Sequence, residues 1–236
     1  MSTPLTVLVT GFGPFLDITT NPSWEIAHRL PSSLTGLNGE TITIIIPPEP
    51  TPAAYHKILA QVPKLIEKHS PDMVVHMGLD VDSGPGVFKV ERSAPKEGYH
   101  EFPDVERRVF TRAENKKTFG KAPATLATTL DLVTAVDAWR DSCSSLSLAK
   151  LQASGTILKA KAKGKEKQMV EVQLTDDVGT YVCGFDYYIS LLEMQKKTGK
   201  REAVFFHVPK LESHDELRVG TRVTEELIKA LFGVLK

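Results

Sequence analysis

The chain has 236 residues, enough for one α/β domain with a sizeable core. Lys plus Arg and Asp plus Glu number 29 each, which excludes a global field favouring nucleic acid or an anionic membrane. Hydrophobic residues make up 41%, yet no apolar run approaches the ~20 residues that span a bilayer, and the opening MSTPLTVLVTGFGPF lacks the basic region and cleavage site of a signal peptide. In chain order, β-rich runs fall at 6–10, 41–47, 72–78, 86–91, 169–175 and 203–208, several of them apolar throughout, as strands covered on both faces should be. Helical spacing falls at 22–31, 52–69, 129–150, 180–195 and 215–235; in the last, Leu217, Val219, Val223, Leu227, Leu231 and Leu235 mark the apolar face. The alternation predicts an α/β fold: a single domain over 1–236 with a mostly parallel twisted sheet and helices on both faces.

Two segments depart from this order. Residues 92–125 are polar, broken by Pro95, Pro103 and Pro123, and without periodicity, and read as a long loop. The segment 158–168, LKAKAKGKEKQ, places lysines at alternate positions around Gly164. Without interleaved aromatics, and in a neutral chain, it reads as a solvated insertion rather than a nucleic-acid patch. The cysteines, Cys143 and Cys183, are too few for a disulfide framework and match no metal spacing. A reducing, cytoplasmic setting is expected, where a free thiol can serve as catalyst.

Open α/β sheets bind ligands beyond the carboxyl ends of their strands. If the strands are parallel, 6–10 delivers Phe12 and Phe15 to that edge and 86–91 delivers Glu91. In the same way 169–175 leads to Cys183, and 203–208 ends near His207. Nucleophile, base and orienter types thus converge. Thr180 as N-cap would place Cys183 in the first turn of a helix, where free N–H groups and the dipole favour a thiolate. Plainer readings stand beside these. Cys143 lies mid-helix and reads as structural; His207 and His76 could be satisfied core histidines, Phe12 and Phe15 core, and Glu91 a strand-end partner of Arg92 or Lys89.

Taken in order, TGFGPF with NPSW (10–15, 21–24), HMG (76–78), VERSA (90–94), DDVGTYVCGFDYYISL (176–191) and FFHVP (205–209) resemble the pyroglutamyl peptidase I, or pyrrolidone-carboxylate peptidase, family of cysteine peptidases. The matches are collinear over about 10 to 230. The resemblance implies Cys183 as nucleophile, His207 as base, Glu91 as orienter, and Phe12, Phe15 and Asn21 lining a pyroglutamyl pocket. The chain departs from the family at Val178, where Ala is common, and at 79–86, which replaces a Gln-Ala-Gly-Gly-Arg-like stretch. The longer insertion at 158–168 suggests a eukaryotic-type member.

What the resemblance implies is a thiol exopeptidase acting through a thioester on small peptides with N-terminal pyroglutamate. It would need no cofactor and no metal, and would have no nucleic-acid or membrane partner, as a monomer or small homo-oligomer. Two alternatives stay open: a catalytically silent pyroglutamyl-peptide-binding relative, and a phosphorylase-like enzyme of similar fold. A metallohydrolase is disfavoured because the seven histidines show no paired ligand spacing.

Overall fold

The computed structural model describes residues 5–149 and 167–235. In chain order the elements are β1 (Leu5–Gly11), α1 (Pro22–Ala27), β2 (Ser33–Thr35), β3 (Thr41–Ile45), α2 (Tyr55–His69), β4 (Met73–Leu79), β5 (Val87–Glu91), β6 (Ser93–Pro95), α3 (Arg112–Phe119), β7 (Thr125–Ala127), α4 (Leu132–Cys143), β8 (Ser147–Ala149), β9 (Lys167–Met169), β10 (Glu171–Thr175), α5 (Val182–Thr198), β11 (Ala203–Val208) and α6 (His214–Gly233). Of the Lys-rich segment expected at 158–168, residues 158–166 lie outside the described residues, and Lys167 and Gln168 open β9. No helix among the described residues is long and apolar enough to cross a membrane.

Seven strands form one sheet in the order β10-β5-β11-β4-β1-β3-β2. The central four, β11, β4, β1 and β3, run parallel. The mostly parallel sheet expected from the sequence is present, but the runs 86–91 and 169–175 do not share the direction of its centre. β5 pairs antiparallel with β11, and β10 follows β5, so both run against the central four, as does edge strand β2. The run 86–91 therefore ends toward the opposite edge from 203–208. The short covalent path explains the reversal. Only residues 80–86 separate β4 from β5, too few for the crossover of a dozen or more residues that a parallel return requires. The sheet is mixed at its flank and parallel at its centre.

Period-2 alternation sorts side chains onto two faces. Val7, Val9, Ile42, Met73, Val75, Met77, Phe206 and Val208 turn to one face and are covered by α1, α4 and α6. Leu8, Val74, Ala203 and Phe205 turn to the other, under α2, α3 and α5. α6 is held at its start by a capping box between Ser213 and Glu216, and buries Val223, Leu227, Ile228 and Leu231. Full burial of such a side chain contributes about 1.5–3 kcal/mol, so Leu227→Ala would cost about 2–5 kcal/mol once the cavity is included.

The segment 92–125, expected as one loop, carries β6, α3 and the start of β7. Its helix is short and polar but has a complete capping box, Thr111 with Glu114, and pins Phe119 beside Phe185 and Tyr188. Local capping and two buried aromatics, rather than amphipathic periodicity, hold it in place, which is why the pattern of apolar residues did not reveal it.

Candidate active site

Alternation also selects what the α5 face of the sheet offers. From β11 it is His207, two residues after buried Phe205; from β5, Glu91, one residue after core-facing Val90; from β4, His76 and Gly78. In the ladder His207 stands opposite Gly78 on one side and Lys89 on the other, and Glu91 stands opposite Phe205. The reversed strand thus brings Glu91 beside His207 on the same face. His207 Nδ1 lies 2.8 Å from Glu91 Oε1, and both side chains are buried. The second carboxylate oxygen accepts from Thr175 Oγ1 on β10. The Tyr187 hydroxyl, 3.0 Å from the Glu91 carbonyl oxygen, ties α5 to the same strand end. With a carboxylate at Nδ1 the imidazole keeps its proton there, and Nε2 is left free to accept one.

Cys183 is the second residue of α5 and is half-buried. The N-cap is Tyr181, in extended backbone, and not Thr180; no side chain caps the first-turn N–H groups. The turn before it is compact enough that a Cβ on Gly184 would meet the Gly179 carbonyl oxygen at 2.1 Å. Beneath the thiol, a Cβ on Gly78 would stand 3.1 Å from Cys183 Sγ and 2.8 Å from the Phe205 ring, so only glycine leaves room for sulfur against β4. The expectation of a resting thiolate needs amending: burial pushes the Cys183 thiol up, and nearby carboxylate charge, that of Asp186 when it is ionised and those of Glu91 and Asp80, adds to the effect. A neutral thiol is the resting state these surroundings favour for Cys183.

These groups line one cleft of about 480 Å³, together with Phe12, Phe15, Asn21, Asp80, Lys89 and Tyr181. Phe12 is buried and packs on Phe205, ring centroids 6.3 Å apart, while Phe15 is half-buried. Asn21 lines the cleft, but its amide is already engaged. Its oxygen caps α1 through Ser23 N (3.1 Å) and accepts from Ser23 Oγ (2.8 Å), and its nitrogen donates to the Gly13 carbonyl (3.0 Å). Asn21 therefore shapes the loop that presents Phe12 and Phe15. Asp80, held by Lys89 Nζ at 2.7 Å and Ser83 Oγ at 2.8 Å, has its carboxyl lowered to about 2; burial alone would raise it, and these hydrogen bonds outweigh that.

Cys143 is buried in the opposite core, its thiol pushed up to about 12 by burial, with no part in the cleft. His76 is buried and hydrogen-bonded to Thr10 and Ser190, as the plain reading of VVHMG expects. Sequence reasoning missed Thr175 and Tyr187, which brace Glu91. The signal for Tyr187 is its place one turn beyond Cys183 on the same helix; nothing in the local sequence around Thr175 marks it.

A half-buried thiol at a helix start, sharing a cleft with a carboxylate-paired histidine on an α/β sheet, defines a cysteine hydrolase. The profile of the pyroglutamyl peptidase family matches residues 5–141, more than half of the chain, and the chain belongs to that family. Pyroglutamyl-peptidase 1 of Mus musculus is 27% identical over 231 residues, covering 98% of this chain and 91% of the mouse protein. The pyrrolidone-carboxylate peptidase of Thermosipho melanesiensis is 26% identical over 234 residues, covering 98% and 96%. Among solved structures, pyroglutamyl peptidase I of Bacillus amyloliquefaciens matches with a TM-score of 0.71 at 21% identity over 97% of each chain. A mutant pyrrolidone carboxyl peptidase of Pyrococcus furiosus gives 0.71 at 18% over 98% of this chain and 100% of that one. These structural likenesses establish the shared fold.

Proposed function

We propose that this chain removes an N-terminal pyroglutamyl residue from peptides, with Cys183 as nucleophile, His207 as base and acid, and Glu91 as the group that orients the imidazole. The observation that carries this reading is the 2.8 Å contact between His207 Nδ1 and Glu91, in the cleft that also holds Cys183. In the first step His207 Nε2 takes the thiol proton as sulfur attacks the pyroglutamyl carbonyl, and the imidazolium forms against the Glu91 carboxylate. Uncapped N–H groups at the start of α5 stabilise the oxyanion. His207 then protonates the departing amine and, with the thioester formed, activates a water to release pyroglutamate.

The lactam ring is flat, neutral and mostly apolar, and suits a slot walled by Phe12 and Phe15. A free ammonium N-terminus would have to shed its hydration there, so ordinary peptides are rejected. Loop backbone groups, rather than the committed amide of Asn21, are the partners for the ring N–H and C=O. The substrates are small peptides and not nucleic acid or membrane components, in keeping with the balanced charge. Both cysteines are free, the state a reducing cytoplasm maintains.

The test compares a fluorogenic pyroglutamyl amide with the matching glutaminyl amide, each with and without prior iodoacetamide. Thiol-sensitive hydrolysis of the first alone is expected. Comparable rates on both would refute the pocket assignment, and iodoacetamide-resistant turnover would refute the nucleophile.

A further inference from the structure

Behind the cleft lies a second polar group that the reaction above does not use. Asp186, three residues after Cys183 on α5, is fully buried. Its Oδ2 lies 3.2 Å from His76 Nδ1, but neither carboxyl oxygen has a hydrogen-bond partner among the described residues. His76 is itself engaged: Nδ1 lies 2.6 Å from Thr10 Oγ1, and Nε2 makes a short contact with Ser190 Oγ. The titratable groups nearest this corner are His76 from β4 and Cys183 from the same helix. Glu91 from β5, His207 from β11 and Asp80 after β4 stand on the cleft side, while Thr10 from β1 and Ser190 from α5 bring only hydroxyls.

A carboxylate in this place would keep its full charge with no donor on either oxygen, while a carboxylic acid leaves only neutral polar atoms unpaired. The second is much the less costly. Burial acts the same way on both partners, raising the acid well above its ordinary value and lowering His76 to about 3. The state of Asp186 matters to the nucleophile because, ionised, it is the largest charge opposing the Cys183 thiolate.

We propose that Asp186 is held as a neutral carboxylic acid against neutral His76, and that by keeping its proton it acts as a positioning residue for Cys183. The start of α5 then favours developing negative charge on sulfur with no fixed charge one turn behind it. The functional meaning of this rests on the peptidase reading, in which Cys183 must ionise. Its two readouts, a carboxyl signal and a thiol signal, exist with or without turnover. A protein inactive on pyroglutamyl amides would sink the earlier reading and leave this one standing.

Infrared difference spectra of wild type against Asp186→Asn at neutral pH should show the carbonyl band of a protonated carboxylic acid that the variant lacks. Iodoacetamide alkylation of Cys183, followed against pH, should agree between the two within about twofold at and below neutrality. It should run slower in wild type than in the variant at alkaline pH, where Asp186 gives up its proton and holds the thiol back. Three results overturn the proposal. One is the absence of the acid band in wild type. Another is about tenfold or faster alkylation of Asp186→Asn below neutrality, the size of a one-unit fall in thiol pKa and the mark of a charge removed. The third is coincidence of the two profiles throughout, which would deny Asp186 any hold on the thiol. Should Asp186→Asn not fold, Asp186→Ser takes its place, and the wild-type band alone still decides the protonation state.

Discussion

Glu91→Gln keeps the shape of the carboxyl group and removes its charge, and the neighbours of Glu91 determine which way the new amide turns. One oxygen faces His207 Nδ1 at 2.8 Å and the other faces Thr175 Oγ1. The Thr175 hydroxyl can accept as well as donate. The amide nitrogen therefore settles against Thr175, and the amide oxygen stays on His207 Nδ1–H. The useful tautomer survives; the variant loses charge stabilisation of the imidazolium. A hydrogen bond to a charged group contributes about 1.5–3 kcal/mol, against about 0.5–1.5 for a neutral pair. The expected loss, the difference of about 1–1.5 kcal/mol, is roughly 5- to 13-fold in kcat. KM should move little, and His207→Ala should be more damaging because it removes the proton carrier. Adding Thr175→Val takes away the acceptor that orients the amide. Its nitrogen can then face His207 and move the ring proton to Nε2, so the double variant should lose more than the product of the single losses. Steady-state kcat and KM on a fluorogenic pyroglutamyl amide measure wild type and the four variants, Thr175→Val alone included. Near-wild-type turnover in Glu91→Gln, or strictly multiplicative losses in the double variant, would refute the reasoning.

Cys183→Ala should abolish turnover, while Cys143→Ala, altering only the opposite core, should keep it; an inactive Cys143→Ala that is folded by circular dichroism would reverse the assignment. Gly78→Ala places a methyl 2.8 Å from the Phe205 ring and 3.1 Å from Cys183 Sγ, and should lower both stability, by about 1–3 kcal/mol, and the alkylation rate of Cys183. Unchanged thermal unfolding and alkylation would show that the strand floor does not place the sulfur. The Asp186–His76 pair also gives stability a definite pH course. Folded, with Asp186 raised and His76 lowered to about 3, the pair carries one proton; unfolded, with ordinary values of about 3.9 and 6.5, it carries two below the first, one between them and none above the second. Its contribution is therefore flat between about pH 4 and 6.5. It falls by about 1.4 kcal/mol per unit as pH rises beyond 6.5 toward the raised carboxyl value, and falls again as pH drops below about 4 toward the lowered His76 value. Denaturant unfolding across pH 6.5–8.5 should show wild type losing stability relative to Asp186→Asn; parallel curves would contradict a proton held on Asp186.

The central strands and the helices that cover them were legible because they are long and carry clear apolar runs or helical periodicity. The direction of β5 and β10 was not. Nothing inside 86–91 or 169–175 distinguishes a parallel strand from an antiparallel one, and the only clue, the short 80–86 link, lies outside the strands. Cys183, His207 and Glu91, picked out in the sequence, share one cleft; the first two stand in distinctive local sequences and Glu91 in a looser one. Asn21 lines the cleft, but its amide serves the loop for a local reason. An Asn followed by Pro-Ser is as much a helix cap as a ligand, and here the cap takes its amide. Asp186 drew no notice, since an acidic residue within a helix looks solvent-exposed until the packing around it is known.

β11 is the last strand in the chain, yet it lies inside the sheet, joining the β10-β5 pair to the β4-β1-β3-β2 group. It also carries His207. During synthesis the two half-sheets therefore cannot join until β11 has emerged. A chain that stops between α5 and β11 carries Cys183 but lacks His207, and cannot place the histidine beside the thiol. The peptidase becomes active only once the sheet is complete, so that synthesis itself delays the enzyme until its fold is closed.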